Sequence, residues 1–292
     1  MKTPIRLAAL ALVSAFSLQL SALVHAATTI DVTNRYSYAA NLGWLDWRGD
    51  TNNGAVIGEY VCSGYLYCAN TGWISLGSGT PANGIQYQNN SGTDFGVNQD
   101  GLGNLTGYAW GANIGWITFE QTYGQPKVNL LSGKLSGSGW SANCGWISLS
   151  NGVALVQTDS IQKGALAPDG LPVAWLLQNF GATNVDANAD PTSKGNTIAQ
   201  DYLAGTDPNN AADVFKITSF QRNVLAPGYD QFAWNSKPTR FYAVQTNPNL
   251  AAAAGWVDYA TFASPGTSTA AFYDYNATNQ FYRIRAYRPL TP

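Results

Sequence analysis

Apolar and polar positions alternate with a period of two through four short stretches of the first half of the chain, residues 37–45, 64–74, 107–117 and 137–147. All four carry one phrase: an aromatic residue and a small residue, then Ala-Asn-x-Gly, then Trp followed by Leu or Ile. The copies run Tyr38-Ala39-Ala40-Asn41-Leu42-Gly43-Trp44-Leu45, Tyr67-Cys68-Ala69-Asn70-Thr71-Gly72-Trp73-Ile74, Trp110-Gly111-Ala112-Asn113-Ile114-Gly115-Trp116-Ile117 and Trp140-Ser141-Ala142-Asn143-Cys144-Gly145-Trp146-Ile147. Aromatic-rich alternation broken by Asn and Gly predicts two strands joined by a tight turn, with both turn residues tolerating left-handed backbone. The spacing of the tryptophans pairs the first two copies with the last two at offsets of 72 and 73 residues, which points to duplication of a two-repeat unit. Each unit reads as a strand meander that cannot bury its own face, so the copies must close together as a sandwich, a barrel or a stacked array.

A strict repeat is what a stacked core demands, and this places the post-turn tryptophans inside. Tyr38, Tyr67, Trp110 and Trp140, which precede the turns, are then the tentative binding aromatics, flat faces suited to stacking on sugar rings or another protein.

The pattern changes after residue 160. Residues 171–180 have Pro at a helix start, apolar residues three and four apart and Gly181 as a stop; residues 197–204 followed by Gly205 read the same way. From Val214 onward strands return, at residues 215–218, 231–234, 241–245, 271–273 and 281–286. The expected fold is therefore mainly β. It comprises a signal peptide at 1–26, a β repeat domain at 27–160, a two-helix linker at 161–213 and a β-sandwich module at 214–292.

Asp169-Gly170-Leu171-Pro172, Trp175, Asp190-Pro191 and Tyr202-Leu203-Ala204-Gly205-Thr206-Asp207-Pro208 together resemble the calcium-binding linker modules of secreted bacterial proteins, related to thrombospondin type-3 and dockerin-like repeats. The resemblance covers some forty-five residues and implies Ca2+ held by oxygens of Asp169, Asp186, Asn188, Asp190, Asp201 and Asp207. The chain departs from that pattern at Ala165, Ala167, Thr192 and Lys194, and Lys194 brings a positive charge to the place of a cation. A calcium-bound linker and a metal-free spacer both remain open on these residues. The C-terminal strands, with Trp234, Tyr242, Leu250 and Trp256 ahead of Phe281-Tyr282-Arg283, resemble the fibronectin type III-like β-sandwich modules that follow such linkers; the resemblance implies a folded module with no activity attached.

Residues 1–26 carry a positive start at Lys2 and Arg6, an apolar run from 7 to 20 and small residues ahead of a cleavage point after Ala26. They predict export and no membrane span after cleavage. The only His and the only Met, His25 and Met1, leave with this segment. Of the 15 basic residues 13 remain against 17 acidic ones, a net charge of −4, with no basic stripe for nucleic acid. Without an imidazole, serine triads and papain-like dyads fail on inventory, and zinc or copper sites lack their preferred ligands. Asp46, Asp50 and Glu59 remain as conceivable paired carboxylates, better explained by turn formation and surface charge. In an oxidising compartment Cys62 and Cys68 are the expected disulfide, which leaves Cys144, in the slot of Leu42, Thr71 and Ile114, as a buried turn residue or an intermolecular link.

These features predict a bacterial protein, secreted or at the cell surface, without enzymatic activity. It would serve as a surface or matrix scaffold for adhesion or self-assembly, its partners a surface polymer, polysaccharide or other protein subunits. The alternative is a carbohydrate-binding protein that uses the repeat aromatics.

Overall fold

The Ala-Asn-x-Gly phrase folds as a three-residue hairpin loop in all four copies. In the first three, the amide of x donates to the carbonyl three residues back (Leu42 to Ala39, Thr71 to Cys68, Ile114 to Gly111, 3.2–3.3 Å). The following glycine then takes φ of +81°, +80°, +71° and +79° at Gly43, Gly72, Gly115 and Gly145. This is a type I turn closed by a left-handed glycine. Only the glycine is left-handed; the expectation that the asparagine shares that backbone is corrected, because Asn41, Asn70, Asn113 and Asn143 all keep negative φ.

The computed structural model describes residues 28–222, 224, 230–251, 254–263, 269–274, 281–288 and 290; the proposed signal peptide lies outside them. The four hairpins are β1 (Ile30–Ala39) with β2 (Gly43–Asp46), β3 (Ser63–Cys68) with β4 (Gly72–Ser78), β6 (Leu105–Gly111) with β7 (Gly115–Phe119), and β10 (Ser138–Ser141) with β11 (Gly145–Ser148). β5 (Val97–Gln99) adds to β6, β8 (Lys127–Val128) pairs with β9 (Leu135–Ser136), and β12 (Leu155–Thr158) adds to β1. Around the ring the order is β1-β2-β3-β4-β6-β7-β10-β11, and β11 pairs back onto β1, so the copies close as an eight-stranded antiparallel barrel. Of the three closures open to the sequence, this one leaves no unpaired edge.

The registers repeat as well. Within hairpins Tyr38 faces Trp44, Tyr67 faces Trp73, Trp110 faces Trp116 and Trp140 faces Trp146. Between hairpins Tyr67 faces Asp46, Trp110 faces Ser75, Trp140 faces Thr118 and Tyr38 faces Ser148. Each junction thus steps by two residues, a stagger of about eight around eight strands, which tilts them by roughly 35–45° and leaves an interior just wide enough for side chains.

That interior is built in layers. Leu42, Ile114 and Cys144 are buried at the turn end; Leu45, Ile74, Ile117 and Ile147 come from the post-turn strands; Trp47, Leu76, Phe119 and Leu149 lie two residues further on. The pre-turn strands supply smaller residues such as Ala39, Ala109 and Gly139 between them. Alternating large and small residues fills the taper. Trp47, the bulkiest, satisfies its indole by donating to Ser37 Oγ at 2.9 Å.

The interior position of every Leu or Ile forces the preceding tryptophan outward. The core position expected for Trp44, Trp73, Trp116 and Trp146 is therefore a correction: all four are 47% exposed. The expected disulfide is corrected too. Residues 63–68 are strand rather than a closed loop, which sets Cys62 and Cys68 on the order of 20 Å apart, beyond the reach of an S–S bond; all three cysteines are free and buried.

Helices α1 (Val173–Phe180) and α2 (Ile198–Ala204) form the linker as expected, each ended by a left-handed glycine, Gly181 and Gly205. Thr197 and Gln200 make a reciprocal capping box on α2. Leu171, Leu176, Ile198 and the edge-on pair of Trp175 and Tyr202, 5.3 Å apart, form their core. Beyond it, β13 (Ile217–Gln221), β14 (Asp230–Asn235) and β17 (Thr269–Asp274) form one sheet, and β15 (Phe241–Asn247), β16 (Val257–Ala263) and β18 (Phe281–Tyr287) another. Phe232, Trp234, Tyr242 and Val244 fill the space between them.

The three regions are tied at one buried cluster. Tyr202 donates its hydroxyl to Glu59 Oε2 at 2.9 Å, and Arg288 pairs with Glu59 Oε1 at 2.5 Å while lying 4.7 Å from the Tyr202 ring centroid. Arg240 donates to the carbonyls of Leu203 and Tyr202 at the end of α2, where the helix dipole favours a cation. Burial nevertheless lowers its guanidinium to about 10.

Candidate functional site

The outer wall of the barrel carries an aromatic girdle just below the turns. Tyr38, Tyr67, Trp110 and Trp140 are 37–41% exposed, against 47% for their tryptophan partners across each hairpin. All four tentative aromatics thus face outward. The sequence reading missed the other four, together with Tyr36, Tyr65, Phe95 and Tyr108. A signal for them existed: two residues after each tryptophan, on the same face of the strand, stand Asp46, Ser75, Thr118 and Ser148. A polar residue in all four copies marks that face as the solvated one.

Neighbouring rings hold the tryptophans upright. Trp44 meets Tyr38 at 5.1 Å and Tyr36 at 6.1 Å, Trp73 meets Tyr67 at 4.9 Å and Tyr65 at 6.4 Å, and Trp116 meets Phe95 at 5.1 Å and Tyr108 at 6.0 Å. Most of these contacts are edge-on, the geometry that ring quadrupoles prefer, and edge-on packing leaves part of each indole face open to solvent.

Where the second and third hairpins meet, this wall folds into a groove of about 650 Å3. Trp73, Trp110, Trp116, Tyr65 and Phe95 supply the aromatic surface, and Ser75, Ser78 and Thr93 the hydroxyls. No charged side chain lines it. Concave aromatic surface with a few convergent polar groups is the usual composition of a small-molecule site.

The carboxylates considered for catalysis serve structure instead. Asp46 pairs with Arg35 at 3.5 Å and accepts the Arg48 amide. Asp50 accepts from the Asn53 side chain and the Asn52 amide, which hold its carboxyl below the ordinary range. Glu59 is the buried centre of the cluster described above.

In the linker, Asp169, Asp186 and Asp190 each accept amides of their own loops, from Leu171, Asn188, and Lys194 with Gly195. Asn188 donates its backbone amide to Asp186 and is exposed. Asp201 and Asp207 do converge, but on Lys194. Its ammonium, on a side chain only 1% exposed, donates to the Asp207 carbonyl at 2.6 Å, the Asp213 carbonyl at 3.1 Å, Asp201 Oδ1 at 3.1 Å and, at a longer 3.4 Å, the Asn210 carbonyl. Four oxygens thus surround its three N–H donors. Calcium takes six to eight oxygens, and among the described residues no three acidic, Cys or His side chains gather. The donor set around Lys194 fits an ammonium and does not fit a calcium ion, although Asp201 Oδ2 is left buried without a hydrogen-bond partner.

No protein-family model, no curated protein and no solved structure matches the chain.

Proposed function

We propose that this is an exported, non-catalytic protein that binds neutral polysaccharide through the groove between its second and third hairpins. The observation that carries the reading is the groove itself: five aromatic side chains and three hydroxyls, without a charge, on a wall held rigid by closed strand pairing. A pyranose whose hydroxyls are equatorial presents a flat face of C–H groups, which matches an indole face, and a rim of hydroxyls, which matches Ser75, Ser78 and Thr93. Rigid side chains lose little entropy on binding. Adhesion to a surface polymer would follow from such binding, with the linker and C-terminal module as the carrier.

Glycan-array screening of the mature protein tests this, with Trp73→Ala and Trp116→Ala as controls. Binding of uncharged glycans that falls at least tenfold in both variants is the expected result. Binding unchanged in both, or binding only to phospholipid vesicles, would overturn it; the second outcome would make the girdle an interfacial belt of the kind Trp and Tyr form at membranes.

A further inference from the structure

The duplication that relates the two halves of the barrel also relates the surroundings of two tryptophans. Trp44 and Trp116 occupy the same position in β2 and β7, and each has a tyrosine edge-on beside it, Tyr36 at 6.1 Å and Tyr108 at 6.0 Å. At both places an added strand pairs with the lower part of the neighbouring strand: β12 on β1, with Leu155 opposite Tyr36, and β5 on β6, with Val97 opposite Gly107. The residue two ahead of each added strand flanks the tryptophan. Phe95 lies 5.1 Å from Trp116, and Val153 lines a groove with Trp44.

That second groove measures about 460 Å3 and is completed by Thr33, Asn34, Tyr36 and Leu155, again with no charged side chain. In the ring of eight strands β2 and β7 stand four places apart, so Trp44 and Trp116 face in opposite directions. The two junctions in between are covered. A Cβ on Gly49 would lie 2.7 Å from Tyr67 Cβ, and one on Gly124 would lie 3.1 Å from the Trp146 ring, so the loops carrying these glycines are pressed onto the wall there. The outer surface is thus two-fold rather than four-fold, with open grooves alternating with closed junctions.

We infer that the barrel is bivalent: the groove around Trp44 is a second binding site for neutral glycan, facing away from the first, so that one molecule joins two polymer chains. This rests on the glycan reading of the Trp116 groove. Sites on opposite walls cannot be bridged by one short oligosaccharide, but a polymer network engages both and is held by avidity, which commonly exceeds single-site affinity by about 10²–10⁴.

Cellohexaose and chitohexaose titrated calorimetrically into the full mature chain give the stoichiometry, and hydroxyethylcellulose viscosity reports cross-linking. The wild type is expected to bind two hexasaccharides per chain and to raise the viscosity. Trp44→Ala and Trp116→Ala are each expected to bind one and to lose the viscosity rise. Val153→Asp, at a position 82% exposed, places a charge on the rim of the second groove without burying it, and is expected to reproduce Trp44→Ala with an unchanged melting temperature. One site in the wild type, lost in Trp116→Ala and untouched by Trp44→Ala and Val153→Asp, would overturn bivalency while leaving the first site standing. No binding of either hexasaccharide by the wild type would remove both.

Discussion

Asn41 donates its side-chain amide to the backbone carbonyl of Cys144 at 3.1 Å, joining the first hairpin of the barrel to the last. The other three asparagines do the same one step back around the ring: Asn70 to Leu42 at 2.8 Å, Asn113 to Thr71 at 2.9 Å and Asn143 to Ile114 at 3.0 Å. Each turn thus holds its neighbour, and the bond between Asn41 and Cys144 closes the circle. This is why every copy keeps Asn at a position whose backbone would accept most residues: the carbonyl beside it needs a donor of that length.

Removing one link, as in Asn70→Ala, is expected to cost about 1 kcal/mol, the net worth of one such bond. Asn41→Asp should cost more, because a carboxylate turns an acceptor toward the Cys144 carbonyl. Urea unfolding of the two variants measures both, and equal stability of Asn41→Asp and wild type would show that the ring contributes nothing to closure.

The layered interior is tight at Gly139, where a Cβ would stand 3.5 Å from the Thr118 carbonyl and 3.1 Å from Ile117 Cγ2, which would have to shift by a few tenths of an ångström. Gly139→Ala is expected to destabilise the protein by about 1–3 kcal/mol through overpacking. Gly152→Ala is the control, since nothing lies within 4 Å of its Cβ and its φ is not left-handed; it should be neutral or slightly stabilising. Comparable losses at the two sites would show that the cost lies in the backbone rather than in the barrel interior.

Lys194 acts as an internal cation for the linker. Lys194→Met should destabilise by about 3–5 kcal/mol, because it leaves the Asp201 carboxylate buried and unpaired. Chelator is expected to shift the melting temperature of the natural protein little. Thr192→Asp together with Lys194→Asp supplies oxygen ligands where the ammonium stood, and calcium at a hundredfold above its dissociation constant should then stabilise by about 2.7 kcal/mol. A large melting shift when chelator is added to the unmodified protein would refute this account of Lys194.

Stability should fall on the alkaline side. Burial pushes the Cys62 thiol up to about 12, and burial together with the nearby Glu59 charge raises the Tyr202 phenol. Both groups hold their protons in the folded state past the pH at which the unfolded chain releases them, near 8.5 for Cys and 10 for Tyr. Their contribution is therefore complete below about pH 8.5 and is lost as the pH climbs toward 12. Urea unfolding from pH 7 to 11 should show a decline beginning near pH 9, and Cys62→Ala should make its first part shallower, the remainder coming from Cys144, whose thiol burial also raises. A flat profile would contradict the burial of these groups.

The residues themselves determined the local elements. The repeated aromatic–Ala-Asn-x-Gly–Trp phrase is legible as a hairpin because its glycine is required by backbone sterics alone, and Pro172, Thr197, Gly181 and Gly205 mark the two linker helices for the same kind of reason. Such signals act within a few residues. Which face of each strand meets the core is hinted at only by the polar residue two places after each tryptophan, and closure of the eight strands enforced it. An interior of barrel width accepts Leu45, Ile74, Ile117 and Ile147 in one layer but not four tryptophans, so Trp44, Trp73, Trp116 and Trp146 became the outer wall and the binding surface. The partners of the turn asparagines and the four oxygens around Lys194 are likewise tertiary. Each depends on segments distant in sequence being brought to hydrogen-bond range, and no local pattern encodes that distance.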